Sequence, residues 1–351
     1  MSHPTATQSP PTDAPPQADA LPISKAPESG PGRGIPGQAG HASGAPLPGM
    51  LKTIRPHQWV KNVFVLAPMF FHKDVVVTGP NDVPALNLIV TGRAFAATAV
   101  FCLLAGAVYT INDLADVEAD RVHPVKRFRP IASGEVPEPL AKMMAAGLVV
   151  LSLGLGYLLG PGFLAVAVAY FVTNLAYTFK LKRVAFLDVS LLALFFVLRV
   201  MAGGFATNVH VSGYMLACTA LLALFLGFGK RRHELAGENA GKQRQALRAY
   251  TPVSLNVALA ITGAATAVTY IAYTLDPTTR AFFHSDYLWL TAPFVAFGMI
   301  RFLYLVSGRS GRGLKAESPT QEMLRDVPFV LNLMLWVVVI VTIVYRLRPA
   351  T

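Results

Sequence analysis

Cysteine and charge are what this sequence of 351 residues has least of. Its two cysteines, Cys102 and Cys218, both lie inside apolar runs. This excludes a disulfide framework, a zinc site built on cysteines and an iron–sulfur cluster. Charged residues make up 14% of the chain and hydrophobic residues 53%, a balance far from that of an average soluble domain. The composition therefore predicts a membrane protein.

The first 50 residues contain few large apolar side chains and are rich in proline and glycine. They hold 11 of the 26 prolines and 7 of the 28 glycines, and such a segment buries too little apolar surface to offset the entropy of ordering it. We predict a disordered tail over residues 1–50 and a folded domain over residues 51–351. The tail also lacks the basic start and apolar core of a signal peptide, so insertion is expected to begin at the first internal hydrophobic segment.

Long apolar runs dominate the rest of the chain. A helix needs about 20 mostly apolar residues to cross a hydrocarbon layer of about 30 Å. Nine stretches meet or approach this length, and they predict an all-α membrane protein with a bundle of nine transmembrane helices. The first stretch is short and carries Lys61 and Asn62. The predicted spans are residues 58–72, 91–114, 139–159, 162–179, 186–206, 211–229, 253–275, 287–306 and 327–347.

Basic residues are distributed unequally between the two sides of this bundle. The loops after even-numbered spans carry seventeen Lys and Arg residues, whereas the loops after odd-numbered spans carry only Lys73 and Arg280. Cytoplasmic loops are enriched in Lys and Arg, so a multi-pass protein of the cell (inner) membrane is expected, with its N-terminus in the cytoplasm and its C-terminus outside. Topology thus explains most of the formal net charge of +11, and nucleic-acid binding is not expected.

A cluster of acidic residues emerges from the predicted cytoplasmic end of the second span. At about 100° per residue in a helix, Asn112, Asp113, Asp116 and Asp120 share one face, while Glu118 points the other way. Hard oxygen ligands without neighbouring His or Cys suit Mg²⁺, which keeps coordination positions open for water and phosphate. The alternative is an acidic helix end that nearby Lys and Arg neutralise.

Three clusters of basic residues lie on the same predicted side. A substrate with several phosphates would bind to the acidic cluster and to these basic residues together. The metal ion would bridge the carboxylates to phosphate, and Lys or Arg would bind the outer phosphate oxygens. Each cluster alone is equally typical of a topology signal or a lipid-headgroup contact. The clusters are Lys126, Arg127 and Arg129; Lys180, Lys182 and Arg183; and Lys230, Arg231 and Arg232.

The acidic motif resembles that of the UbiA superfamily of intramembrane prenyltransferases, whose nine-helix plan corresponds to residues 51–347. The first Asp-rich motif of the family, NDxxDxxxD, is matched in full by Asn112, Asp113, Asp116 and Asp120. The second Asp-rich motif, expected after the sixth helix, is missing, and residues 229–235 read Gly-Lys-Arg-Arg-His-Glu-Leu instead. Ordinary prenyl transfer from a diphosphate uses two acidic clusters, so this departure speaks against it.

Residues 55–62, 120–134 and 230–234 are similar to the decaprenyl-phosphate phosphoribosyltransferase branch of that superfamily. Members of this branch join a polyprenyl phosphate to phosphoribosyl pyrophosphate, and the lipid-linked phosphoribose feeds arabinan synthesis for the cell wall. The resemblance implies a Mg²⁺-dependent membrane enzyme whose UbiA-like bundle, within residues 51–351, opens its active site to the cytoplasm. The implied partners are polyprenyl phosphate, phosphoribosyl pyrophosphate and the lipid bilayer. Whether the protein forms a homo-oligomer is left open.

The resemblance also implies roles for the acidic residues. Asp113, Asp116 and Asp120 are expected to bind Mg²⁺ together with the pyrophosphate of the donor. Asn112 is expected to orient a carboxylate or a ligand water. These four residues form the predicted catalytic group.

The implied substrate-binding residues are mostly basic. The donor phosphates are assigned to the loop residues Lys126, Arg127 and Arg129. Lys61, with Lys180, would bind either the lipid phosphate or the ribose 5-phosphate, and Glu234 would anchor the basic segment or touch ribose hydroxyls. The other predicted members of this group are Arg55, Asn62, Tyr177, Lys182, Lys230, Arg231 and Arg232.

Several alternatives stay open on the sequence alone. Arg199 lies in an apolar run, and it either serves the function or snorkels outward. Tyr177 shares a helix face with Asn174, and it either lines the pocket or bonds a neighbouring helix. The alternative activities are transfer of a polyprenyl group from its diphosphate to an aromatic acceptor and transport of anionic solutes.

Overall fold

The computed structural model of the chain describes residues 46–71, 75–78, 84–236, 245–306, 323 and 325–345. Most of these residues are helical. The α-helices are α1 Pro46–Thr53, α2 Ala67–Phe70, α3 Leu88–Ala115, α4 Val117–Arg121, α5 Glu138–Leu159, α6 Pro161–Phe179, α7 Leu187–Thr207, α8 Gly213–Ala236, α9 Pro252–Leu275, α10 Pro277–Phe283, α11 Ala292–Val306 and α12 Val327–Tyr345. The 3-10 helices are Pro56–Val65, Lys126–Phe128, Leu181–Arg183, Gln245–Ala249 and Leu288–Thr291.

Part of the predicted tail lies beyond this description. Residues 1–45 fall outside the described residues, so the prediction of disorder is not tested there. Residues 46–50 belong to α1. The last five residues of the predicted tail are therefore helical in the structure.

Within the described residues, eight helical stretches are long and apolar enough to cross a membrane. The chain is an integral membrane protein. These stretches match the second to the ninth predicted spans, with ends that differ by a few residues. The eight stretches are Leu88–Ala115, Glu138–Leu159, Pro161–Phe179, Leu187–Thr207, Gly213–Leu235, Pro252–Leu275, Leu288–Val306 and Val327–Val344.

The predicted first span, residues 58–72, is not a continuous α-helix. Pro56–Val65 forms a 3-10 helix, which we call the 3-10 segment, and the four-residue helix α2 follows it. The ring of Pro68 would clash with the carbonyl of residue 64 in an α-helix, and proline has no N–H to donate. The predicted count of nine transmembrane helices is therefore not confirmed.

A small antiparallel sheet precedes α3 and was not predicted. Strand β1, Val76–Thr78, pairs with strand β2, Pro84–Leu86, so that Val77 lies opposite Ala85. Apart from these two short strands, the regular structure of the described residues is helical, which confirms the predicted all-α class.

The helices pack around several apolar clusters. The first joins α3, α6 and α7, where the rings of Phe101 and Phe163 lie 5.7 Å apart. The second joins α8, α9 and α11 around Phe225 and Phe302. In a third cluster, Phe71 packs against residues of α10 and α12. The end of α2 therefore lies beside the last helix and links the first segment to the second half of the bundle.

The 3-10 segment docks closely on α7. A Cβ atom on Gly203 would overlap the carbonyl oxygen of Val65, so only glycine permits this approach of the two backbones. The contact holds the 3-10 segment, with Lys61 and Asn62, against the middle of the bundle.

Candidate active site

The acidic motif lies where α3 gives way to α4. Asp116 interrupts the α-helix, but its amide donates to the Asn112 carbonyl at 3.0 Å and its carbonyl accepts from the Asp120 amide at 2.8 Å. The chain therefore continues to turn as a helix. Glu118 points outward, as predicted, and the structure pairs it with Arg121.

Two of the three aspartates converge on one arginine. Arg129 Nη1 lies 2.5 Å from Asp120 Oδ2 and 3.2 Å from Asp113 Oδ1. Asp113 Oδ1 also accepts from Arg55 Nη2 at 2.6 Å. The Arg55 guanidinium stacks 5.2 Å from the ring centre of Tyr109. Both aspartate side chains are buried, so their charges depend on these arginines.

Asp116 is bound by a different cation. Lys182 Nζ donates to its two carboxylate oxygens at 2.8 and 3.0 Å, and Asn112 Nδ2 lies 3.4 Å from Oδ2. About a third of the Asp116 side chain is exposed. The junction of α3 and α4 thus combines three carboxylates with three cations, of which Arg55 and Lys182 come from distant parts of the chain.

The oxygen atoms of the three aspartates are arranged in part as a hard divalent cation requires. Asp113 and Asp120 direct oxygen atoms at a single point, which Arg129 Nη1 occupies, and carboxylate oxygens are the ligands Mg²⁺ prefers. Asp116 faces Lys182 instead. Within the described ranges, no three His, Cys, Asp or Glu residues come close enough to hold a metal ion. The three-aspartate metal site stays a prediction.

A second charged cluster lies at the far end of α8. Arg231 is 1% exposed, and its Nε lies 2.9 Å from Asp188 Oδ2, as an ion pair without hydrogen-bond alignment. Its Nη1 donates to Glu234 Oε2, and Glu234 Oε1 lies 4.0 Å from Lys230 Nζ. Arg231, predicted to bind substrate, is therefore enclosed between two carboxylates.

Tyr250 completes this second cluster. Its hydroxyl donates to Asp188 Oδ1 at 2.7 Å and accepts from the Phe186 amide at 2.6 Å. Burial raises the pKa of the Tyr250 hydroxyl, and the hydrogen bond to Asp188 acts in the same direction. The phenol therefore stays protonated and able to donate.

Sequence reasoning missed Asp188 and Tyr250. Asp188 carried a signal, because it is the one acidic residue in the apolar stretch 184–207 that follows Arg183. Such a charge at the edge of a span needs a partner. Tyr250 carried no comparable signal, since its role depends on a contact across 62 residues.

The other predicted residues lie in varied surroundings. Arg127 stacks on Phe128 and is exposed, and Arg232 Nε donates to Asn256 at 3.1 Å. Lys180 is exposed at the end of α6, and Lys126 is half-buried in the loop that follows the acidic motif. Among the described residues, Arg127, Lys180 and Arg232 make no ion pair with the three aspartates.

The intramembrane candidates point inward. Arg199 is buried, and its Nε donates to Asn62 Oδ1 at 2.8 Å, so the snorkelling alternative is wrong. Tyr177 packs edge-on against Phe195 at 5.8 Å between ring centres. Lys61 lies within electrostatic range of Arg55, Arg199 and Lys230.

Comparison with known proteins identifies the family. Residues 66–345 match the UbiA prenyltransferase family. The chain belongs to this family. As a UbiA family member, it is similar to the decaprenyl-phosphate phosphoribosyltransferase of Corynebacterium glutamicum, with 35% identity over 302 residues, 85% of this chain and 87% of the relative. The protein of that name from Mycobacterium tuberculosis is 36% identical over 82% of this chain and 92% of its own length.

Solved structures agree on the fold of this UbiA family member. A UbiA homolog from Archaeoglobus fulgidus, solved bound to GPP and Mg²⁺, superimposes with a TM-score of 0.59 at 18% identity. The superposition covers 84% of this chain and 99% of that one. The family match over residues 66–345 confirms the predicted resemblance to the superfamily.

Proposed function

We propose that this protein transfers 5-phosphoribose from phosphoribosyl pyrophosphate to decaprenyl phosphate or a similar polyprenyl phosphate, and releases pyrophosphate. The product would supply cell-wall arabinan synthesis. The observation that carries the proposal is the junction of α3 and α4, where three carboxylates and three cations meet, in a chain whose relatives bear this enzyme name.

The donor is proposed to bind at this junction. Asp113, Asp116 and Asp120 would hold Mg²⁺, which neutralises charge on the departing pyrophosphate, and Asn112 would fix the orientation of Asp116. Each aspartate already has a cation beside it, so binding of donor phosphates would exchange internal ion pairs for pairs with the substrate. The cations proposed to contact the donor are Arg55, Lys126, Arg127, Arg129 and Lys182.

The opposite side of the site is proposed to be formed by α6 and by the last turns of α8. Tyr177 and Lys180 would approach from α6. Lys230, Arg232 and Glu234 would approach from α8, where Arg231 anchors the segment through Asp188.

The proposed reaction is a substitution at the anomeric carbon of the ribose. A phosphate oxygen of the lipid forms the new bond to this carbon while the bond to pyrophosphate breaks. A phosphate monoester has its second pKa at about 6, so the attacking oxygen is already ionised near neutral pH and needs no strong general base. The protein would contribute positioning and neutralisation of the leaving group.

We propose that the site opens to the cytoplasm. The seventeen basic residues in alternate loops would then lie inside, the N-terminus would be cytoplasmic and the C-terminus external. Residues 1–50 would be a tail attached to the catalytic domain, residues 51–351.

The decisive experiment is incubation of membranes containing the protein with decaprenyl phosphate and ribose-labelled phosphoribosyl pyrophosphate. The expected result is label in the lipid fraction, with a product whose mass is that of decaprenyl phosphate plus phosphoribose. If no label enters lipid while a prenyl diphosphate is consumed, the protein is an ordinary prenyltransferase. Solute flux into proteoliposomes without product would instead make it a transporter.

A further inference from the structure

Arg199 is a charged residue in the interior of the bundle that the proposed reaction does not use. It lies about 18 Å along α7 from Leu187, at 1.5 Å per residue, and it is 5% exposed. Nε donates to Asn62 Oδ1 at 2.8 Å, Nη2 to the Tyr170 hydroxyl at 2.8 Å and Nη1 to the Phe195 carbonyl at 2.9 Å. All three acceptors are neutral.

The charge of Arg199 has no carboxylate partner among the residues that the structure describes. Its guanidinium lies 4.8 Å from the ring centre of Tyr170 and 5.6 Å from that of Phe196, contacts that stabilise a cation only in part. A buried charge without a counter-ion is strongly unfavourable. Three neutral hydrogen-bond acceptors do not balance a full positive charge, so the charge of Arg199 itself needs an explanation.

Arg199 is connected to the proposed site through the 3-10 segment. Its partner Asn62 directly follows Lys61, and Asn62 also donates to Cys102 Sγ at 3.2 Å. Arg55, which bonds Asp113, immediately precedes the same segment. Lys61 is within electrostatic range of both Arg55 and Arg199, and no hydrogen bond or ion pair joins it to an acidic residue of the described chain. Arg55, Lys61 and Arg199 thus carry positive charge from the acidic motif into the apolar interior.

We propose that Arg199 is a positioning residue for the acceptor: through Asn62 it holds Lys61 toward the phosphate of the lipid, and its charge together with that of Lys61 balances this phosphate within the bundle. The inference rests on the proposed function and deepens it, because it separates an acceptor subsite from the donor subsite at Asp113, Asp116 and Asp120. A lipid phosphate carries about −1.5 to −2 charge at neutral pH, which two cations match. The acceptor tail would then extend along the apolar surfaces beyond Arg199.

The test compares Arg199→Gln with Arg199→Lys in purified enzyme, measuring kcat and the KM of each substrate. Arg199→Gln should raise the KM for decaprenyl phosphate by at least about tenfold and leave the KM for phosphoribosyl pyrophosphate within about twofold. Arg199→Lys keeps the charge but loses part of the hydrogen bonding and ring stacking of the guanidinium, so it should raise the KM for decaprenyl phosphate clearly less than Arg199→Gln does. An unchanged acceptor KM in Arg199→Gln, an equal rise in both KM values, or an Arg199→Lys variant as impaired as Arg199→Gln would overturn the proposal.

Arg93→Gln is a matched control. Arg93 is the other arginine inside a spanning helix that bonds backbone carbonyls, those of Ala206 at 2.5 Å and Leu159 at 2.6 Å. Its loss should lower thermal stability without separating the two KM values. If Arg199→Gln does not fold, Asn62→Ala decides: a selective rise in acceptor KM supports the proposal, and an unchanged KM overturns it.

Binding without turnover separates this inference from the proposed function. The wild-type protein should bind decaprenyl phosphate in preference to uncharged decaprenol, and Arg199→Gln should lose most of that preference. If the wild-type protein makes no phosphoribosyl lipid and still shows this Arg199-dependent preference, the proposed function fails and the acceptor subsite stands. If turnover occurs and Arg199→Gln keeps the preference, the function stands and the subsite is wrong.

Discussion

Individual charged side chains of this protein differ in how their charges are balanced. Each aspartate of the acidic motif has a cation beside it, Arg231 has two carboxylates, and Arg199 has none among the described residues. Replacing a partly exposed carboxylate that is proposed to bind metal should lower activity. Replacing one member of a buried ion pair should lower stability, because the charge of its partner is left buried without a counter-ion. Substitutions at these positions should therefore have different consequences.

Replacing Asp116 with Asn tests the acidic motif. The change removes a negative charge with little change in volume, and Asp116 is partly exposed, so expression and thermal stability should stay near those of the parent. Turnover should fall by about 100-fold or more, as expected when a group that stabilises the transition state is lost. Steady-state assays across a Mg²⁺ titration measure this.

The matched control is Glu118→Gln, which lies in the same turn of the chain but is exposed and paired with Arg121. It should retain activity within about twofold, because surface ion pairs contribute little. Full activity in Asp116→Asn, or equal losses in both variants, would contradict a catalytic role for the motif.

Arg231→Met tests the second charged cluster. It leaves the fully buried Asp188 without its cation, which should lower the free energy of unfolding by about 3–5 kcal/mol. The adjacent Arg232→Met removes only the bond to Asn256 and should change it by less than about 0.5 kcal/mol. Denaturation of both variants in detergent micelles gives the comparison. Equal stability of the two would show that Arg231 is not the anchor of this segment.

The secondary-structure elements show where sequence patterns suffice and where they do not. Eight spans follow from apolar runs of sufficient length, since hydropathy is a local property. The predicted span over residues 58–72 is not confirmed, because an apolar count takes no account of the effect of Pro68 on a helix. The hairpin before α3 has strands of three residues, too short for an alternating pattern to be recognised.

The candidate site was also predictable from the sequence only in part. The spacing of Asn112, Asp113, Asp116 and Asp120 was readable because a helix places them on one face. The choice of partner was not readable, since Lys182 reaches Asp116 across 66 residues and Arg55 reaches Asp113 across 58. Such pairings depend on how the whole bundle packs, and no local pattern encodes them.

Gly203→Ala tests the docking of the 3-10 segment on α7. The new methyl group would overlap the Val65 carbonyl oxygen, so the segment must shift, at a cost of about 1–3 kcal/mol in stability. Because Lys61 and Asn62 lie on this segment, turnover should fall as well. Unfolding midpoints and initial rates measure the two effects.

Gly154→Ala on α5 is the control, because a Cβ there meets nothing within 4 Å. It should be neutral or stabilising by up to about 1 kcal/mol, as alanine is the better helix former. If Gly203→Ala behaved like Gly154→Ala, the close approach of the two backbones would not constrain the site.

At the scale of the whole molecule, the two ends of the bundle have different characters. One end carries the acidic motif and the Asp188–Arg231 cluster. At the other end, Arg93 binds the carbonyls that end α5 and α7, where helix ends favour a positive charge. The proposed reaction would thus take place at one side of the membrane, and the orientation of the bundle would decide which substrates can reach it.

The orientation can be tested with single cysteines at the two ends of the bundle. Val122→Cys lies in an exposed loop beside the acidic motif, and Thr278→Cys lies in the exposed turn at the start of α10. The excess of basic residues predicts that the first is cytoplasmic and the second external. A membrane-impermeant maleimide should label Thr278→Cys in intact cells and Val122→Cys only after permeabilisation, with the parent protein reporting the background from Cys102 and Cys218. The reverse pattern would place the acidic motif outside the cell, where a phosphorylated sugar made in the cytoplasm does not reach it, and would contradict the proposed donor.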